Sequence, residues 1–81
     1  MEKQAEEQVL QIFADHFGMD KKDIGPSMEL ARDLNLSAIE MGDFMVILEN
    51  TFHIEIPKEE SNNAETLADV INIVVNHGNF T

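Results

Sequence analysis

The sequence has no cysteine, no tryptophan and no tyrosine, two prolines, and five bases against sixteen acids. The missing cysteine removes disulfides, thiolate metal sites and cysteine nucleophiles together. No stretch reaches the ~20 apolar residues that a bilayer-spanning helix requires, so no membrane insertion is expected. The opening Met1-Glu2-Lys3-Gln4 is polar and lacks the basic-then-apolar order of a secretory signal, which points to a cytoplasmic protein. In that compartment the glycosylation-like triplets Asn35-Leu36-Ser37 and Asn79-Phe80-Thr81 carry no weight. The scarcity of bases also argues against nucleic acid as a partner. Phosphate binding needs positive charge, and the formal net charge is −11. Such a charge keeps a protein soluble and steers it toward basic patches on partners. It also fits a solvated surface with no partner at all.

What is present suffices for one domain over residues 1–81. A chain this short buries only about 60% of the surface its unfolded form exposes, so modest stability is expected. Five phenylalanines and five methionines are available to fill the core. Residues Lys3 to Phe17 read as an amphipathic helix. Ala5, Val9, Ile12, Phe13 and His16 recur at helical spacing, with Glu2, Glu6 and Glu7 in the first turn and Gly18 as the stop. Met19 to Asn35, with Gly25-Pro26, reads as a long loop pinned to the core by Ile24, Met28, Leu30 and Leu34. A loop of this length in a compact domain is often functional.

The second helix starts at Ser37, which with Glu40 three residues on forms a capping box, and runs to Thr51 or Phe52. Pro57 ends an extended segment, His53-Ile54-Glu55-Ile56, and a short turn of helix is expected around Glu59 to Asn63. Thr66 with Asp69 opens the last helix. Leu67, Val70, Ile71, Val74 and Val75 make its buried stripe, and Gly78 follows its end. No segment alternates for long enough to build a sheet. The expected fold is all-α, a small four-helix bundle with three long helices and one short one.

The second helix shows two apolar faces. At about 100° per residue, Met41, Phe44, Met45, Leu48 and Phe52 fall on one side as the core face. Ile39, Gly42, Asp43 and Val46 fall nearly opposite, flanked by Glu40 and Glu49. A helix with one buried face is expected to be polar there. An apolar centre with an acidic rim suits a docking surface, although scattered exposed aliphatics are common and need no function. Inside a helix Gly42 costs about 1 kcal/mol relative to alanine.

The stretch Asp33-Leu34-Asn35-Leu36-Ser37-Ala38-Ile39 precedes a helix that closes with Leu48-Glu49-Asn50-Thr51-Phe52-His53-Ile54-Glu55-Ile56-Pro57. These signatures resemble those of the acyl carrier proteins. In that family Asp-Leu-Gly-x-Asp-Ser-Leu opens the second helix and Leu-Glu-x-x-Phe-x-Ile-x-Ile-Pro ends it. The resemblance extends over the whole chain. It implies a protein that holds acyl chains as thioesters on a 4'-phosphopantetheine arm, attached through the serine of the motif. It also implies acyl-chain processing enzymes and a phosphopantetheinyl transferase, with basic docking patches, as partners, and a monomer.

In this register Ser37 stands at the family's aspartate, Ala38 at its serine and Ile39 at its leucine. Alanine has no hydroxyl, so the arm is not expected to attach at position 38. Three explanations stay open, in this order: a substitution that fixes the apo form, a natural carrier-like protein that only docks partners, and attachment at Ser37 instead. One residue turns a side chain by about 100° around the helix, and Ser37 already has the cap to supply. The resemblance further implies partner docking through Ile39, Glu40, Gly42, Asp43, Val46 and Glu49. Gly42 stands where a larger aliphatic is usual and Ile47 where acids or small residues are frequent, so partner choice is expected to differ from that of a general fatty-acid carrier. The family shelters acyl chains among its helices, and Leu48, Ile56 and Ile71 are candidates to line such a space as well as ordinary core residues.

Catalytic and metal signals fail. His16, His53 and His77 lie far apart in sequence without metal-ligand spacing. His16 falls on an apolar stripe, where half-buried packing is expected, and His77 suits the negative end of a helix dipole. No phosphate-cradling glycine loop or calcium-loop pattern occurs, and Glu59-Glu60 lacks the ordered ligand spacing of a dedicated cation site. Neither an enzyme nor a metalloprotein is expected. The alternative to a carrier is an acidic helical docking module that binds basic partner proteins and carries nothing.

Overall fold

The structure is a computed structural model that describes residues 2–78; the triplet Asn79-Phe80-Thr81 lies outside the described residues. In chain order it contains α1 (Glu2–Phe17), a single 3₁₀ turn (Lys21–Asp23), α2 (Ala38–Phe52), α3 (Lys58–Asn63) and α4 (Leu67–His77). The all-α, four-helix expectation holds among the described residues, with boundaries within one residue of those read from sequence.

Helix α1 buries Ala5, Val9 and Phe13 of the stripe read from its 3–4-residue spacing, together with Leu10 and Ala14, while Ile12 is only half-buried. It stops because Gly18 adopts a left-handed φ of 67°. That turn lets the Met19 N–H donate back to the Ala14 carbonyl at 2.9 Å, satisfying a helix-end acceptor. Against α1 lie Phe44, Met45 and Leu48 from α2 and Leu67, Val70, Ile71 and Val74 from α4. Phe13 meets Phe44 edge-on, with centroids 5.1 Å apart at 83°, a geometry worth about 0.5–1.5 kcal/mol beyond area burial. No polar side chain is buried among the described residues.

The long loop is pinned as its apolar residues foretold: Ile24 and Leu30 are buried and Met28 and Leu34 half-buried. Its main chain is also stapled to the start of α4. Leu30 N–H donates to the Glu65 carbonyl at 2.8 Å, and Leu67 and Ala68 N–H donate to the Met28 and Pro26 carbonyls. These bonds satisfy backbone groups that would otherwise be orphaned at a loop-helix contact. They fix the approach of the chain to α2.

Three local readings change. His53 is not extended: it closes α2 in a left-handed conformation, φ 57°, and its N–H and that of Ile54 both donate to the Glu49 carbonyl. A C-terminal cap overrode the β-branched pattern that follows it. His16 is exposed rather than half-buried, set edge-on against Phe17 at 4.6 Å, because it stands to one side of the line of Val9, Phe13 and Phe17 that faces the core. Isolated bridge pairing, absent from the sequence reading, joins Glu29 to Thr66.

Helix α3 has no buried residue. Its hold on the bundle comes from the half-buried Ile56 and Ala64 at its flanks and from Glu60, whose carboxylate meets His77 Nε2 of α4 at 2.9 and 3.0 Å. It forms the least anchored wall of the bundle.

Candidate functional site

The site is built at the start of α2. Ser37, extended at φ −80° and ψ 168°, is the N-cap. Its Oγ accepts the Glu40 N–H at 3.2 Å, and Glu40 Oε1 accepts the Ser37 N–H at 2.9 Å. The donation from the Ser37 backbone, then its side-chain contact, holds the Glu40 carboxyl below the usual range for a glutamate. The capping box read from sequence is therefore formed in full, and the hydroxyl of Ser37 is taken up in it.

Ala38 is the first residue of the helix and is exposed. It stands on the ridge between two clefts. One, of about 430 Å³, is lined by Leu30, Leu36, Met41 and Ala64 with Glu29 and Glu65 at its edge. The other, of about 640 Å³, runs between α2 and α3 along Met41, Gly42, Met45 and Val46, with Ile56 and Lys58 on the far side. A serine at position 38 would offer its hydroxyl to solvent at the mouth of both. The methyl of Ala38 offers no nucleophile, so the residues present do not fit covalent attachment of a phosphopantetheine arm at this position.

The outer face of α2 carries the residues singled out from its double periodicity. Ile39 is 78% exposed and Val46 52%, with Glu40, Gly42 and Asp43 exposed around them. Glu49 differs: it is half-buried, and its Oε2 accepts the Ile56 N–H at 2.8 Å, tying the chain after α2 back onto the helix. Of the three residues considered for an apolar lining, Ile56 opens onto the α2–α3 groove. Leu48 is wholly buried in the core. Ile71 borders a separate depression of about 390 Å³ shared with Lys3, Pro26 and Ala68.

A wider, polar depression of about 870 Å³ lies at the C-terminal end of α2, away from Ala38, lined by Glu49, Asn50, His53, Ile54, Glu55 and His77. The fold thus brings together two histidines that stand far apart in sequence. No group of three metal-ligating side chains forms among the described residues. Sequence reasoning missed Lys58 and Ala64 as walls of the groove and Glu60 as the partner of His77. Only the helix signal after Pro57 hinted that α3 would stand beside α2.

Comparison with known proteins agrees with this fold. The family model described as "Phosphopantetheine attachment site" matches residues 7–74. An acyl carrier protein of Thermosynechococcus vestitus is 33% identical over 70 residues, covering 86% of each chain. One from Rickettsia bellii is 29% identical over 89% of each. Among solved structures, the apo doublet acyl carrier protein from prodigiosin biosynthesis superposes with a TM-score of 0.81 over 94% of this chain, which spans 37% of that one, at 20% identity. That likeness shows the fold. Proteins of this family are carriers and not enzymes, their cofactor is 4'-phosphopantetheine, and they work with acyl-processing enzymes and a phosphopantetheinyl transferase. From the matched family model and these relatives, the chain belongs to the acyl carrier protein family.

Proposed function

We infer that this chain is an acyl carrier of the kind that presents acyl chains as phosphopantetheine thioesters to biosynthetic enzymes, in a form that cannot be loaded at position 38. The observation that carries the reading is the exposed Ala38 at the first position of α2, beside a Ser37 whose hydroxyl is held in the capping box. Its docking surface is Ile39, Glu40, Gly42, Asp43 and Val46, with Glu49 at the inner edge, and its partners bring basic patches to the acids. The protein works as a cytoplasmic monomer; among the described residues no helix is long and apolar enough to cross a membrane. Ile56, Leu48 and Ile71 are the apolar residues proposed to shelter a chain, with Ile56 lining the same groove as Ala38.

A second reading follows from the same alanine: a docking module of carrier fold that binds basic partners and never carries a chain. Competition examines the docking that both readings require. This chain, added to a phosphopantetheinyl transferase acting on its Ala38→Ser variant, is expected to inhibit competitively and to be relieved by salt, because the contact is electrostatic. No inhibition at concentrations well above the variant's KM would remove the docking surface from the account.

A further inference from the structure

The two clefts beside position 38 share Ala38, Met41 and Ala64 along their common border. Ala38 opens α2 and Ala64 caps the end of α3, and each brings only a methyl group to that border. Met41 follows Ala38 by three residues and so lies on the same side of α2. It is half-buried and packs against the core. Its thioether side chain is therefore the one group at the border long enough to separate the clefts.

The space differs on the two sides of Met41. The smaller cleft holds Leu30 and Leu36, with the acids Glu29 and Glu65 at its edge. The larger one continues along α2 past Met45 and Val46 to Ile56. Glu49 bounds it, with a carboxylate that accepts the Ile56 N–H at 2.8 Å. The same Glu49 borders the polar depression of His53, Glu55 and His77. Burying methylene groups along the apolar stretch is favourable, and the polar end offers no such gain. With a net charge of −11 the surface disfavours a free carboxylate, so the chain that fits is an uncharged one.

We propose that Met41 is a specificity-determining residue. It partitions the space beside position 38, so that an uncharged alkyl chain presented there enters the α2–α3 groove and is shut out of the cleft at Leu30 and Leu36. Methionine is unbranched, with three rotatable bonds, and fills an irregular border closely. Cutting it back to alanine leaves only methyl groups at the border and joins the two clefts. The inference rests on the sheltering of a chain proposed above and adds the residue that limits where the chain can go.

The first test needs no attached chain. Decanol, an uncharged alkyl probe, is titrated into this chain, Met41→Ala and Met41→Leu while backbone amide shifts are followed by NMR. In this chain and in Met41→Leu, a nearly volume-conserving exchange, shifts are expected at Met45, Val46 and Ile56 and not at Leu30 or Leu36. In Met41→Ala they are expected at both groups. Shifts at both groups in this chain, or at neither, overturn the proposal whether or not Met41→Ala folds. Confinement that persists in Met41→Ala overturns it as well. The covalent counterpart loads the Ala38→Ser background from octanoyl- and dodecanoyl-coenzyme A with a broad-specificity transferase and compares unfolding midpoints. The gain on lengthening the chain is expected to be larger by about 4 °C or more when Met41→Ala is added. An equal gain overturns the partition. Failure of Ala38→Ser to accept any arm overturns the carrier reading and leaves the decanol titration to judge Met41 by itself.

Discussion

Ser37 and Glu40 cap each other: the Ser37 hydroxyl accepts the Glu40 N–H at 3.2 Å while the Glu40 carboxylate accepts the Ser37 N–H at 2.9 Å. The pairing sets where α2 begins and makes Ala38 its first residue. It also explains why the neighbouring hydroxyl is a poor substitute for one at position 38, since using it breaks the cap. Replacing Ser37 by alanine is expected to lower stability by about 1 kcal/mol, read as a fall of about 4–8 °C in the unfolding midpoint. A change near zero would mean that the cap contributes nothing to α2.

Acid should weaken both capping boxes. The Glu65 backbone N–H, then the backbone and side chain of Thr66, hold the Asp69 carboxyl low against a partial opposing effect of burial, and Ser37 does the same for Glu40. A carboxylate whose folded pKa is depressed contributes stability in full above its unfolded pKa and loses it as pH falls through the folded one. Protonating the other acids relieves repulsion over the same range, so the comparison must be differential. Urea unfolding from neutral pH down through the carboxylate range should show the stability gap between this chain and Asp69→Asn narrowing as the pH falls. A gap that does not change with pH would contradict the role given to the charged form.

Charge repulsion is the expected source of a salt response. The net charge is −11, the ion pairs among the described residues are exposed, and such pairs contribute only about 0–1 kcal/mol each. Added salt or divalent cations should therefore raise the melting temperature by screening repulsion among the exposed acids, most fully between charges farther apart than the Debye length, about 10 Å at 0.1 M salt. No rise would mean that the acidic surface is not a major destabilising influence.

The two faces of α2 should respond oppositely to truncation. Leu48 is wholly buried, so Leu48→Ala is expected to cost about 2–5 kcal/mol in urea unfolding. Val46 is 52% exposed, and Val46→Ala should stay within about 0.5 kcal/mol while weakening binding to a transferase. Equal stability losses at the two positions would contradict the separation of core and docking faces.

Much of this was legible in the residues. Both capping boxes, the Gly18 stop and the double periodicity of α2 are local signals, because each depends on groups within four residues of one another. The Asp33–Ile39 and Leu48–Pro57 signatures carried the family in the same way. What escaped depends on how distant segments meet. His53 and His77 border one depression only because α2 and α4 end at the same side of the bundle. Glu60 reaches His77 across seventeen positions of sequence. The left-handed turn at His53 was hidden by the isoleucines after it, and the groove beside Ala38 needed α3, a short helix with no buried side chain to announce its placement.

Intact mass decides the reading of position 38. This chain and its Ala38→Ser variant are incubated with coenzyme A and a broad-specificity phosphopantetheinyl transferase, and each is weighed. The expected result is that the variant gains the mass of one phosphopantetheine arm and this chain gains none. Modification of this chain as it stands would place the arm on another residue, Ser37 first, and contradict the structural role assigned to its hydroxyl. A variant that stays unmodified would contradict the carrier reading and leave the docking module in its place.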